Sequence, residues 1–229
     1  MPVQDDVRER ELLQLFNLHV PVERRRADTD ASLRIDGHEL EFELKSTTGR
    51  SVSTVRDFGA DHIAKWKDKH WIFGFYNRDG TRLLYCHYAS PADMAPWIAE
   101  KEEYVRPDIV LATEVPRLID RSTLVKIFGD KSLYDYEDAR RLMKSQWTQE
   151  RYDDERDLPD GYSSERMVEI LKLRCAYVIS RGATLNNPHI SGSYFEGWVK
   201  ITEDHAAKLR EKVRNYLAVT NAVATDTAT

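Results

Sequence analysis

The stretch Asp28-Thr29-Asp30-Ala31-Ser32-Leu33-Arg34-Ile35-Asp36-Gly37-His38-Glu39-Leu40-Glu41-Phe42-Glu43-Leu44-Lys45 decides how the chain folds. Asp36-Gly37, set between alternating apolar and polar residues, is the two-residue signal of a β-hairpin. Ile35 then pairs with His38, and each outward step adds a pair: Arg34 with Glu39, Leu33 with Leu40, Ser32 with Glu41, Ala31 with Phe42, Asp30 with Glu43. One further pair on the same face sets Asp28 opposite Lys45. Strand alternation sends Leu33, Ile35, Leu40, Phe42 and Leu44 toward a core and leaves Asp28, Asp30, Glu41, Glu43 and Lys45 on the other face.

Directly opposed residues have Cβ atoms about 4.5–5.5 Å apart. Two carboxylates at that separation repel by roughly 3 kcal/mol at an effective dielectric constant of about 20. A sheet does not gain stability from Asp30 against Glu43, and Lys45 alone is one charge against several acids. A divalent cation with oxygen ligands offsets the repulsion, and Mg²⁺ suits a site that keeps waters and accepts phosphate. The plainer alternative is a solvated acidic strand face, since Glu-x-Lys is a common tripeptide. The two readings separate on register, because a one-residue slip would break the Asp30–Glu43 pairing.

Around the hairpin, 229 residues favour one α/β domain, expected over residues 1–217, with residues 218–229 as a frayed tail. An apolar content of 41% allows a packed interior. The formal net charge is −5, from 39 acids and 34 bases, which is not the balance of a protein that simply coats nucleic acid. Basic residues gathered in one cleft would still allow binding. Cys86 and Cys175 form no CxxC pair and read as free thiols of a reducing compartment. No stretch approaches the length of a membrane span, so a soluble, cytoplasmic protein is expected.

Periodicity predicts a helix over 6–18, a loop over 46–56, a helix over 57–70 and a buried strand over 71–76. A strand over 82–88 and a helix over 91–102 follow. A strand over 108–112, helices over 122–128 and 135–149, and a mobile connection over 149–161 come next. The chain then reads as a helix over 163–181, a polar loop over 184–193, a strand over 194–201 and a helix over 202–216. The expected architecture is a central mixed β-sheet flanked by helices.

Thr29-Asp30-Ala31-Ser32-Leu33 followed by Glu43-Leu44-Lys45-Ser46-Thr47 resembles the core of the PD-(D/E)XK nuclease superfamily, which includes most type II restriction endonucleases. The resemblance covers mainly residues 28–76, and Asp30 lacks the preceding Pro. It implies that Asp30 and Glu43 bind Mg²⁺ with the backbone carbonyl of Leu44, and that Lys45 orients or deprotonates the attacking water or stabilises charge on the phosphate. It also implies a restriction-endonuclease-like fold and products with 5′-phosphate and 3′-hydroxyl ends. Asp28 rivals Asp30 as first acid, and Glu11 on the first helix is a possible extra ligand.

Two segments could touch DNA. Arg50, Ser51, Ser53, Thr54 and Arg56 leave the active strand directly and place hydroxyls and guanidiniums within reach of phosphates or base edges. The alternative there is a helix start capped by Ser53 or Thr54. Arg181, Asn186, Asn187 and His189 belong to an amide-rich loop that could read bases or simply turn. Arg24, Arg25 and Arg26 could meet phosphate. The five tryptophans are scattered, which favours packing over base stacking, and the histidines show no zinc spacing. The expected activity is Mg²⁺-dependent, sequence-specific cleavage of double-stranded DNA, as by a type II restriction enzyme acting as a homodimer on a palindrome. The rivals are a repair, junction-resolving or modification-dependent nuclease, or a non-catalytic DNA-binding module on the same core.

Overall fold

The computed structural model describes residues 4–20 and 29–226. Asp28 and the Arg24-Arg25-Arg26 triplet lie outside the described residues. The hairpin forms in the expected register: strand β1 (Ala31–Ile35) runs antiparallel to β2 (His38–Thr47), with Ala31 opposite Phe42 and Ile35 opposite His38. Asp36 and Gly37 have φ of 49° and 82°, both positive as a type I′ turn requires.

β2 pairs in parallel with β4 (His70–Tyr76), and β4 pairs antiparallel with β5 (Leu83–Ala89), giving a mixed sheet of order β1-β2-β4-β5. Both faces are covered. On one, Leu33, Phe42, Leu44 and Ile72 share a core with Leu12, Leu13 and Phe16 of helix α1 (Gln4–Phe16) and with Leu209 and Val213 near the chain's end. The other face carries Trp71, Phe73 and Phe75, which stand beside Glu43, Lys45 and Thr47 in the parallel register. Helix α2 (Ala60–Trp66) closes it with Trp66 edge-on to Trp71 at 4.7 Å, and Trp97 of α3 (Pro91–Glu114) packs at 6.3 Å from Trp66. The seven residues of β4 are all buried, as a central strand covered on both faces must be. An α/β fold with a central mixed sheet flanked by helices is what the hairpin and the apolar run together demand.

Residues 1–217 are read above as one domain; the chain forms two compact units, one ending at Glu102 and resuming at Leu185, the other spanning Glu103–Thr184. The second unit is helical, with α4 (Arg121–Phe128), α5 (Tyr136–Met143), α6 (Gln149–Asp154) and α7 (Ser164–Gly182) around Leu124, Tyr134, Tyr152, Tyr162 and Ile170.

Several expected elements differ, each for a local reason. The strand expected over 108–112 is helical, because α3 continues through Pro107 to Glu114. The helix expected over 135–149 stops at Met143, where Lys144 and Ser145 both have φ of 56°. The connection over 149–161 contains α6, capped by the Thr148 side chain and anchored by buried Tyr152. Asp57 at φ 53° and the Phe58–Leu185 bridge delay α2 until after Gly59, so neither Ser53 nor Thr54 caps it. Residues 194–201 form no strand: a 3-10 turn covers Gly192–Phe195, and Ile201 makes a single bridge to Cys86. The last helix, α8 (His205–Asp226), continues past Leu217.

A Cβ at Gly37 would meet no atom within 4 Å, so only its backbone conformation constrains it. Gly37→Ala is expected to cost about 1–2 kcal/mol by forcing an L side chain into the left-handed region. Urea unfolding should show a lower midpoint with an unchanged slope.

Candidate active site

Asp30 stands just ahead of β1, and its Oδ2 accepts the Leu44 backbone N–H at 2.9 Å. The strand register ends at Ala31 opposite Phe42, and this side-chain bond ties the Asp30 carboxylate to β2 beside Glu43, whose charge bears on it. Glu43 is only 4% exposed. Its Oε1 accepts from Lys45 Nζ at 2.7 Å, while its buried Oε2 has no hydrogen-bond partner. Lys45 lies two residues along the same strand face, with Nζ 5.9 Å from the Trp66 ring centroid. The three side chains named from the sequence are therefore brought together.

Their electrostatics pull in opposite directions. Burial raises the Asp30 carboxyl above its ordinary range, the Glu43 charge raises it further, and Lys45 and the Leu44 N–H offset this only in part. Burial also pushes Glu43 up, but Lys45 beside it, with Lys65 and Lys69, brings its carboxyl below the ordinary value. Burial works against the Lys45 ammonium, yet Glu43 and Asp30 hold it above its ordinary value, so Lys45 stays charged. Lys45 thus acts on both acids, bonded to Glu43 and bearing on Asp30 by its charge.

Glu43 Oε2 is an unsatisfied buried acceptor, and unsatisfied buried acceptors are costly. Asp30 is the carboxylate that burial and the Glu43 charge raise. Among the described residues no group of three or more His, Cys, Asp or Glu side chains converges. The oxygen donors the geometry brings together are the carboxylates of Asp30 and Glu43, the ligand type a hard cation such as Mg²⁺ takes.

Beside the site opens a cleft of about 930 Å³ whose lining includes Lys45, Ser53, Thr54, Arg56 and Asn187. Two segments far apart in sequence build its wall. Strand β3 (Val52–Ser53) pairs antiparallel with β6 (His189–Ile190), Ser53 Oγ lies 3.2 Å from His189 Nδ1, and Thr54 Oγ1 donates to the Pro188 carbonyl at 2.7 Å. Asn187 has φ of 56°, so it makes the turn and faces the cleft as well. Exposed Asn186 and His189 flank it on the same loop. Arg50 and Ser51 line a different cleft, and exposed Arg181 belongs to α7 of the helical unit.

The helix acid at the cleft is Glu9, whose charge bears on both Asp30 and Lys45. Glu11 instead accepts the Tyr76 hydroxyl at 2.8 Å. Sequence reasoning also missed Lys69, 2% exposed, which donates to Thr29 Oγ1 at 2.7 Å and lies 3.4 Å from Glu41 Oε2. The i, i+4 spacing of Lys65 and Lys69 beside an acidic strand was the available signal. Compared with models of known families and with curated proteins, the chain matches none.

Because Asp30 ionises less readily when folded than when unfolded, its charge costs stability at neutral pH, a cost that disappears as pH falls through the raised value. Asp30→Asn keeps an acceptor for the Leu44 N–H. Without divalent cation it should raise Tm by a few degrees, at about 2–4 °C per kcal/mol for a chain this size. The wild type should gain Tm on adding Mg²⁺ and the variant should gain almost none. Differential scanning calorimetry with and without Mg²⁺ measures both.

Proposed function

We propose that this protein is a Mg²⁺-dependent endonuclease of double-stranded DNA. The observation that carries the reading is Asp30 and Glu43 held together, with Glu43 Oε2 unpartnered and Lys45 reaching from that pair to a cleft walled by hydroxyl, guanidinium and amide groups. The resemblance of Asp30 and Glu43-Leu44-Lys45 to the PD-(D/E)XK nucleases supports it, as does the mixed sheet that presents them.

Asp30, Glu43 and the Leu44 carbonyl would hold the cation. When bound, Mg²⁺ supplies a water of lowered pKa and positive charge at the phosphate. The chain's own groups do the rest. Lys45, kept as an ammonium and oriented by Glu43, places charge where a pentavalent phosphate gains negative charge. Ser53, Thr54 and Arg56 offer donors to phosphate oxygens, and Asn187 offers a side-chain amide to a base edge.

Lys45 and Arg56 line the cleft against Glu9 and Asp57, so a cation bound at Asp30 and Glu43 would tip its balance toward phosphate. Restriction-type cutting of both strands at a palindrome requires two copies related by a two-fold axis, so a homodimer belongs to this reading.

Supercoiled plasmid incubated with the protein and Mg²⁺ should yield discrete fragments with 5′-phosphate ends. Lys45→Ala should slow cleavage by about 10²–10³-fold, the cost of removing one preorganised charge at the phosphate. Glu43→Gln should be inactive at any Mg²⁺ concentration. Intact plasmid from the wild type, or variants as active as the wild type, would refute the proposal.

A further inference from the structure

A second cleft, of about 820 Å³, opens in the same unit, and its lining is of a different character. Aromatic rings dominate it. His87 and Phe195 are buried and nearly parallel, with centroids 5.6 Å apart. Half-buried Trp198 meets Phe195 edge-on at 5.3 Å. Half-buried Tyr85 stacks on Phe75 at 4.8 Å and carries Lys200 Nζ 4.3 Å from its ring centroid. Lys200 and Arg50 are exposed cations of the lining, with Glu196 the acid beside them.

An apolar ligand would account for the rings and leave two cations unexplained. A phosphate alone would account for the cations and leave the rings unexplained. A flat aromatic body joined to an anion satisfies both, and a nucleotide is that body: bases stack on aromatic faces whatever their identity, and phosphate takes Arg and Lys.

The two clefts share a wall. Ser51 lines the second and Ser53 the first, two residues apart along extended chain, about 7 Å at strand rise. The Arg50 loop is held against its neighbour: a Cβ on Gly192 would come within 3.0 Å of the Arg50 carbonyl oxygen. Thr47 Oγ1 ties the loop from the other side, donating to the Ser51 carbonyl at 2.8 Å and accepting the Gly49 N–H at 3.0 Å.

We propose that the second cleft holds one unstacked nucleotide of the strand entering the first, its base stacked on Trp198 at the edge of Tyr85, whose faces carry Phe75 and Lys200, and its phosphate on Arg50 and Lys200. This deepens the nuclease reading and rests on it. It makes the preferred substrate a duplex in which one base leaves the stack easily, since unstacking costs least where pairing is already broken.

The test uses the full chain in EDTA, so that binding is read without cleavage. Fluorescence anisotropy compares a fully paired labelled duplex with the same duplex carrying one unpaired thymidine. The wild type should bind the bulged duplex about tenfold more tightly, within the range of one base–aromatic stack. Tyr85→Ala and Trp198→Ala should abolish the preference, and Trp198→Phe should keep most of it. Should an alanine variant fail to fold, 5-iodouracil at the bulged position serves with the unmutated protein. Irradiation should crosslink it to Tyr85 or Trp198, identified by mass spectrometry. Equal binding of the two duplexes, a preference that survives both alanine variants, or crosslinking outside this cleft would overturn the proposal. Lys45→Ala should keep the bulge preference. A protein that cuts plasmid but shows no such preference loses the second cleft alone, whereas one with the preference that never cuts loses the nuclease reading.

Discussion

Two carboxylates, Asp30 and Glu43, held close together in a largely buried corner are the constraint on which this structure turns. Lys45 bonds to Glu43 and lowers its carboxyl, while Asp30, held by the Leu44 N–H, is left raised beside a charged neighbour. Repulsion between like charges at facing strand positions is worth several kcal/mol when water is largely excluded. Glu43 Oε2 is buried in that corner without a hydrogen-bond partner.

The rest of the first unit is arranged so that the pair cannot relax. Register fixes the backbone, since Asp36 and Gly37 adopt positive φ and leave no freedom to slip by a residue. The parallel neighbour β4 sets Trp71 beside Glu43 and Phe73 beside Lys45, and Trp66 packs on Trp71. Large rings on this face keep water from dispersing the charges. The opposite face of the sheet is sealed by α1 and α8, so the strands have no second arrangement of equal burial. Fold and chemistry therefore meet at one strand, β2, apolar toward one side and charged toward the other.

The hairpin, the buried strand β4 and most helix starts were legible because their signals are local: a two-residue turn, strict alternation, an unbroken apolar run. Glu43 and Lys45 fall on one face by strand alternation, whereas Asp30, one position ahead of β1, is tied to β2 through its side chain and the Leu44 N–H. What could not be read is what tertiary packing decides. Pro107 looks like a break, yet α3 passes through it. Val52–Ser53 and His189–Ile190 are each too short to announce a strand, and become one only by pairing across more than a hundred residues. Glu9 and Glu11 differ by two positions on one helix, and only the placement of α1 puts Glu9 at the cleft and Glu11 on Tyr76. Trp66, Trp71 and Trp97 pack as scattered tryptophans should, while half-buried Trp198 lines a cleft that nothing in its sequence neighbourhood signals.

The measurement closest to the central claim is the position of a bound cation. Crystals grown or soaked in Mn²⁺, a hard ion with an anomalous signal, should show a peak about 2.1 Å from carboxylate oxygens of both Asp30 and Glu43. An anomalous map without density between those two residues, in crystals that bind Mn²⁺ elsewhere or not at all, would contradict the account.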